Sequence, residues 1–487
     1  MAKRLRLIVL LGLAIIFCLT MVFLSVSSYG SSPWKDWQTK YFQAQIAELE
    51  GTLPMVQREE QAEKLKQEIK DWQEKKPAVQ EIRLSNGRIE RCTTCHMGIE
   101  EISTSHPSAS LGCTVCHGGN ALSLDELTAH EGMYGGGHPG QLEVARLSCG
   151  GSTEVGQCHS GNKQDADNQV DLLTTSLMAS KGGELSMSRY MYGLDIPPRV
   201  LLKPGETAAD LEAPFNHRVE EPKFQQNCLA ACHLTGGELP GQEVQANGCE
   251  SCHVLSNAEH TYEGKDVTIP RSKSGYGKSH SLTVQIPYTQ CNQCHNQGDY
   301  KVDTIDFTPR PDLDRVKASP SPDKESLEAR WKNVYSPGLV FTQCEVNLDC
   351  IDCHTRKEVM GDGEMHVSEW DALKIQCRDC HGSSVEQPIE WKITDKSDMA
   401  WVEARINPVF PPLKMGDVIL KTAKGEELAY VRLENGKWYN YRKTNGDKFE
   451  IPQVIDSQCR QEPDKQSSDD CHKCHDVSKD KPSSGGK

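Results

Sequence analysis

Residues 113–119 read Cys113-Thr114-Val115-Cys116-His117-Gly118-Gly119. The heart of that stretch is two cysteines three positions apart with a histidine directly after them, and it recurs along the chain. Six further copies are Cys92-Cys95-His96, Cys249-Cys252-His253, Cys291-Cys294-His295, Cys350-Cys353-His354, Cys377-Cys380-His381 and Cys471-Cys474-His475. Every CxxC is followed by His, although His fills only 17 of 487 positions. Chance does not produce that coincidence.

CxxCH is the attachment signature of c-type haem. Two cysteines at this spacing can each add to one vinyl group on a single porphyrin edge, and the next residue is then placed to coordinate the iron. Structural zinc also uses CxxC pairs, but it needs ligands in fours and has no use for a His after every pair. A disulfide framework fails on the same point. A thioredoxin-type site would occur once, inside a βαβ pattern.

Two more Cys-His pairs have their first cysteine further back: Cys228 with Cys232-His233, and Cys149 with Cys158-His159. Both fit haem if the intervening residues loop outward, which Gly150, Gly151, Ser152 and Gly156 permit in the longer one. The alternative for the longer one is a Cys149–Cys158 disulfide with His159 left over. Nine covalently bound haems are therefore expected, with seven as the minimum.

Nine haems use 18 of the 21 cysteines. Cys18 falls in an apolar run and is expected as a buried thiol. Cys344 and Cys459 either pair with each other or are relics of longer motifs ending at His354 and His472. Eight histidines lie outside the motifs: His106, His130, His138, His217, His260, His280, His366 and His472. Low-spin electron-transfer haems commonly take a second axial ligand, and these eight are its candidates. Eight candidates for nine positions leave at least one haem with Met, Lys or an open site.

Residues 7–26 are apolar and uncharged, long enough at about 1.5 Å per residue to cross a hydrocarbon layer of about 30 Å. Lys3, Arg4 and Arg6 precede them, which favours a cytoplasmic N-terminus and export of the remainder. A cleaved signal peptide is the alternative. Residues 34–76 carry a helical pattern at Ala62, Leu65, Ile69 and Trp72, interrupted by Gly51 and Pro54. Two arrangements fit it: a kinked stalk, or a hairpin packed on the main body.

The motifs appear paired along the chain, Cys92 with Cys113, Cys228 with Cys249 and Cys350 with Cys377, and His106 and His366 lie between the members of the first and last pairs. Residues 308–337 are Pro- and charge-rich and read as a linker. Asn435-Gly436 and Asn445-Gly446 punctuate alternating apolar runs, predicting three or four antiparallel strands over 417–451, a structural cap or else a partner-binding module. A short helix is expected over 172–181. The resulting division is 1–33 anchor, 34–90 helical stalk or hairpin, 91–305 six-haem region, 306–343 linker, 344–400 haem pair, 401–456 small β-sheet module and 457–487 last haem with a polar tail. The fold class is a multihaem cytochrome c, mostly irregular, with short α-helices around haems that replace a side-chain core. The low aromatic content, 6%, agrees with such a core.

Net charge is -15, with 54 Lys+Arg against 69 Asp+Glu. No long basic run is present, which excludes a nucleic-acid binder and implies salt-sensitive steering towards basic partners. On its motifs, including the Cys-Thr-x-Cys-His-Gly-Gly element at 113–119, the chain resembles the membrane-anchored multihaem c-type cytochromes of bacterial respiratory chains. The resemblance implies a single-pass inner-membrane protein with its haem domain in the periplasm. It would carry electrons between a membrane quinol-oxidising complex and periplasmic or extracellular acceptors, without being an enzyme itself, and oligomers are compatible with it. The alternative is a multihaem reductase or oxidase acting on a small nitrogen or sulfur compound at one open haem. No CxxCK variant is present to favour that alternative.

Overall fold

The computed structural model describes residues 12, 14–21, 32–152, 156–161, 168–174, 176, 178–179, 199–201, 248–257, 259–295, 298–301, 306–309, 342–366 and 372–476. They fall into two compact units, Met1–Met133 with Gly264–Pro270, and Tyr134–Glu263 with Arg271–Lys487. Among the described residues no helix is long and apolar enough to cross a membrane, and most of the 7–26 run lies outside them. Cys18, expected as a thiol buried within the membrane span, is exposed to its surroundings on the helical stretch 14–21, with no described residue covering it.

In the first unit, α1 (Pro33–Thr52) opens with proline at its start, where the missing N–H costs nothing, and α2 (Glu59–Glu74) follows a turn at Leu53–Met55. Pro54 makes the break; Gly51 stays inside the last turn of α1. The helices form a hairpin, with Trp72 against Tyr41 and Phe42 at ring-centroid separations of 5.8 and 5.6 Å. Gln38, fully buried on α1, donates to Ala78 O and Thr94 O, both at 2.8 Å, and accepts from Ala78 N. That one amide fastens the hairpin to the Cys92 motif. The two helices thus pack on each other and on the segment leading to the Cys92 motif.

The second unit is built mostly of one- and two-turn helices and short ribbons. The helix expected over 172–181 is Gln169–Leu173; Ser176, Met178 and Ala179 beyond it are in bends and turns. Of the 306–343 linker, the strand Asp306–Pro309 is described, paired with Gly298–Lys301, together with Thr342 and Gln343 at its end; the residues between lie outside the described set.

The exception to the irregularity is a five-stranded antiparallel meander: β1 (Ile389–Lys392), β2 (Val418–Lys421), β3 (Glu427–Glu434), β4 (Lys437–Tyr441) and β5 (Lys448–Glu450), in the spatial order β5-β4-β3-β2-β1. It has one strand more than the sequence predicts, because β1 comes from upstream of the helix Met399–Ile406, outside the alternating stretch. Glu434 pairs with Lys437 across Asn435 (φ 51°) and Gly436 (φ 77°), the two positive φ angles of a type I′ turn. Leu428, Ala429, Tyr430 and Val431 on β3 are all buried, so both faces of the sheet are covered. The helix Met399–Ile406 packs on β3, and Ile375 and Cys380 join the apolar cluster. The sheet packs against the segment that carries the Cys377 motif.

Candidate cofactor-attachment sites

Each described motif folds as a single tight turn. The His N–H donates to the carbonyl of the first cysteine in the Cys92, Cys113, Cys249, Cys291 and Cys350 motifs, at 2.9–3.1 Å. The Cys377 and Cys471 motifs are single helical turns, within Cys377–His381 and Ser468–His475. The same bond closes the long motif: His159 N donates to Cys149 O at 3.0 Å. Its extra residues are set aside as a ribbon in which Gly151–Ser152 pairs with Gly156–Gln157. Gly151 sits at φ +93°, where a Cβ would lie 2.2 Å from Gly156 O, so the ribbon depends on glycine there. Cys149 and Cys158 are free thiols. The structure thus gives the eight-residue spacing the same end geometry as the two-residue one. Cys228, Cys232, His233 and His217 lie outside the described residues.

Five of the motif histidines are oriented from behind. His96 Nδ1 lies 2.7 Å from Oδ2 of fully buried Asp266 and 2.9 Å from Thr268 Oγ1. His159 Nδ1 is 3.0 Å from Gln169 Oε1, His253 Nδ1 is 2.8 Å from Thr283 O, His381 Nδ1 is 2.8 Å from Pro452 O and His354 Nδ1 is 3.2 Å from Glu358 Oε2. An acceptor on Nδ1 selects the tautomer with its lone pair on Nε2, the form a metal takes. Burial lowers the pKa of His253 and His381, which favours the neutral ring. Burial also opposes charge on His96, but the Asp266 carboxylate outweighs it and the pKa is raised. His354 is raised chiefly by its hydrogen bond to Glu358.

Buried acids hold the motif turns in place. Glu90, fully buried, accepts from Cys113 N (2.5 Å), Thr114 N (3.2 Å), Thr114 Oγ1 (2.5 Å) and Arg88 Nη2 (2.7 Å). Asp349 accepts from Tyr288 N, Thr444 Oγ1 and Arg442. Asp352 accepts from Lys443 N, and Asp379 from Gln376 N and Ala423 N. These acids and Asp266 were not identified from sequence. Those beside a motif are visible only as polar residues near a CxxCH, and Asp266 carries no local signal because its histidine is 170 positions away.

Across motifs, the first cysteines meet in twos. Cys92 Sγ and Cys113 Sγ lie within 4.8 Å of each other and of a Glu90 oxygen. The thiols of Cys149 and Cys249, of Cys291 and Cys350, and of Cys377 and Cys471 are likewise close enough to shift one another's ionisation. The Cys92–Cys113 pair is the one the sequence suggests. Cys350 and Cys377 instead take partners on other segments: Asp349 binds Tyr288 N at 3.0 Å, and Ser468 Oγ receives Cys377 N at 3.1 Å. Burial raises the second cysteines, Cys95 and Cys252 to about 11 and Cys380 to about 12. Among the described residues no four Cys or His ligand atoms converge, as a structural zinc site would need. Glu90 beside Cys92 is already committed to backbone amides and Arg88.

Of the candidate second ligands, His130 faces His96, with ring centroids 6.0 Å apart. His106 Nδ1 lies near Ser103 and Ser105 hydroxyls. His138 contacts Glu250 and the Tyr276 ring, and His260 adopts φ 51°. His366 is buried with Nε2 3.0 Å from Asp362, and His472 lies 3.2 Å from Glu345. His106 and His366, alike in sequence position, therefore occupy unlike environments. His280 is on the loop between the Cys249 and Cys291 motifs. Cys344 and Cys459 are free thiols; Cys344 lies 2.9 Å from Thr342 Oγ1. No family model, curated protein or solved structure matches this chain.

Proposed function

We propose that the chain is a multihaem c-type cytochrome that relays electrons in a respiratory chain, anchored to the inner membrane by residues 7–26 with its haem-bearing part in the periplasm, between a quinol-oxidising complex and periplasmic or extracellular acceptors. Haem, when bound, supplies an iron that cycles between Fe(III) and Fe(II) at a potential set by its ligands and surroundings. The observation that carries the proposal is the shared turn: a histidine amide bonded to the carbonyl of the first cysteine, reproduced even where eight residues intervene. Disulfide or zinc chemistry has no need of it.

In this reading the two thiols of each motif would hold the porphyrin edge and the motif His would supply Nε2, with an Nδ1 acceptor fixing the ring of His96, His159, His253, His354 and His381. The packing of the second unit strings the motifs in a continuous order. Cys149 meets Cys249. Gln290 Nε2 donates to Ser251 O at 2.6 Å, joining the Cys249 and Cys291 segments. Cys291 meets Cys350, Glu358 after His354 accepts from Ile375 N ahead of Cys377 at 2.8 Å, and Cys377 meets Cys471. Neighbours in this order are the natural partners for electron exchange; the Cys228 motif, between Cys149 and Cys249 in the chain, lies outside the described residues.

Intact mass of the denatured protein tests the proposal, since each covalently held haem adds a fixed increment. Nine increments are expected. Colourless protein, or pigment that acidified acetone extracts, would overturn it.

A further inference from the structure

We propose that His96 and His130 are the two axial ligands of one iron, the one attached through Cys92 and Cys95. The inference rests on the haem reading above and adds to it a specific pairing. A metal–imidazole nitrogen bond is about 2.0–2.1 Å; with about 1.1 Å more from each nitrogen to its ring centre, two imidazoles sharing a metal have centroids about 6.3 Å apart. The rings of His96 and His130 are 6.0 Å apart.

Ordinary aromatic packing also spans such separations, but the surroundings here do not suit it. His130 is exposed and ends a polar helix, Glu126–His130, beside Leu127, itself 85% exposed. Among the described residues no buried apolar cluster includes either ring. His96 has Nδ1 committed to Asp266 and Thr268, which leaves Nε2 as its ligand atom.

The chain also fixes His130 in place. Asp125 caps its helix, accepting from Thr128 N at 3.0 Å. Asn120 N donates to Ala129 O at 2.9 Å, and Gly118 bridges to Met133. Gly119, at φ +79°, lets this happen: a Cβ there would lie 2.6 Å from Ala129 O. The two glycines after His117 therefore have a physical role. They let the segment carrying His130 fold back closely behind the Cys113 motif, so that the peptide holding one haem presents a ligand to its neighbour.

The test uses the full haem-loaded chain. H130A should keep the haem count by intact mass and add one haem equivalent of high-spin ferric signal in the electron paramagnetic resonance spectrum, reversed by exogenous imidazole. In the C92S/C95S background, which should lack one haem, H130A should add nothing. High-spin iron that appears in that background, or an H130A spectrum unchanged from wild type, would overturn the pairing. Should C92S/C95S fail to accumulate, Gly119→Val replaces it: it should give the H130A signal by itself, and the double variant should show one equivalent. Two equivalents would overturn the pairing. If intact mass shows no haem in the wild type, it is the cytochrome reading that has failed.

Discussion

Replacing Asp349 by Asn tests whether buried acids, and not apolar packing, hold the Cys350 motif against the sheet. Asp349 is 1% exposed. One oxygen accepts from Tyr288 N at 3.0 Å; the other accepts from Arg442 Nε at 3.2 Å and Thr444 Oγ1 at 2.7 Å, and lies 3.1 Å from Arg442 Nη2. Arg442 follows β4, and its side chain is only 9% exposed. Removing one partner of a buried pair costs about 3–5 kcal/mol, because the other charge stays inside unpaired. Asn keeps the shape and one acceptor, which puts D349N near the lower figure. At about 1.4 kcal/mol per tenfold, that is a loss of about 100-fold in the local folding equilibrium. Hydrogen exchange read by mass spectrometry on peptides covering β3 and β4 measures that opening without requiring the two units to unfold together. Protection in D349N should fall by about this factor with the haem count unchanged. R442M/D349N should be less damaged than the two single variants summed, with a coupling of at least about 1.5 kcal/mol. A D349N loss under about 1 kcal/mol, or strict additivity, would refute the reasoning.

Three further outcomes follow from the same geometry. E90Q should weaken the Cys113 turn by about 1.5–3 kcal/mol, the range for hydrogen bonds to a charged group, seen as faster exchange at residues 113–117; unchanged exchange there would remove Glu90 from its anchoring role. L428A, at a fully buried position of β3, should cost about 2–5 kcal/mol through the cavity it leaves, read as a lower urea midpoint of the sheet. The Glu434 carboxyl is held below its ordinary range by its hydrogen bonds to Lys448 and Tyr441. A depressed acid stabilises the fold above its unfolded value of about 4.3 and loses that contribution as pH falls through the folded one. The stability gap between wild type and E434Q should therefore be present at neutral pH and close on acidification; a gap independent of pH would contradict it.

What the sequence reveals is what is local. The CxxCH turns, the Asn435-Gly436 hairpin and the Pro54 break each need only a few adjacent residues, and each forms at the expected place. The partners of the motifs are not local. Cys149 meets Cys249 across 100 positions, and no periodicity encodes that meeting. β1 escapes prediction for a related reason, since Ile389, Glu390, Trp391 and Lys392 lie next to the Cys377 motif and are claimed for the sheet only by pairing with β2. The acceptors behind the histidines are hardest to see: two of them, Thr283 O and Pro452 O, are main-chain oxygens with no side-chain identity at all.

The position of the acids changes what the net charge means. Read as composition, -15 describes a surface that steers basic partners. Yet Glu90, Asp266, Asp349, Asp352 and Asp379 are each 5% exposed or less, and every one of them holds a motif turn or its histidine. Charge paired in this way, as Glu90 is with Arg88 and Asp349 with Arg442, adds little to long-range steering. It acts locally, in a setting of low dielectric where an ionised acid favours the more positive state of anything bound nearby, while burial raises Asp352 to about 6 and also raises Asp379, which weakens their share. In the proposed cytochrome that state is ferric iron. The same acids that shape the attachment turns would then lower the reduction potentials, so folding and redox tuning draw on one set of residues. Ionic strength should accordingly affect partner association less than the net charge alone implies.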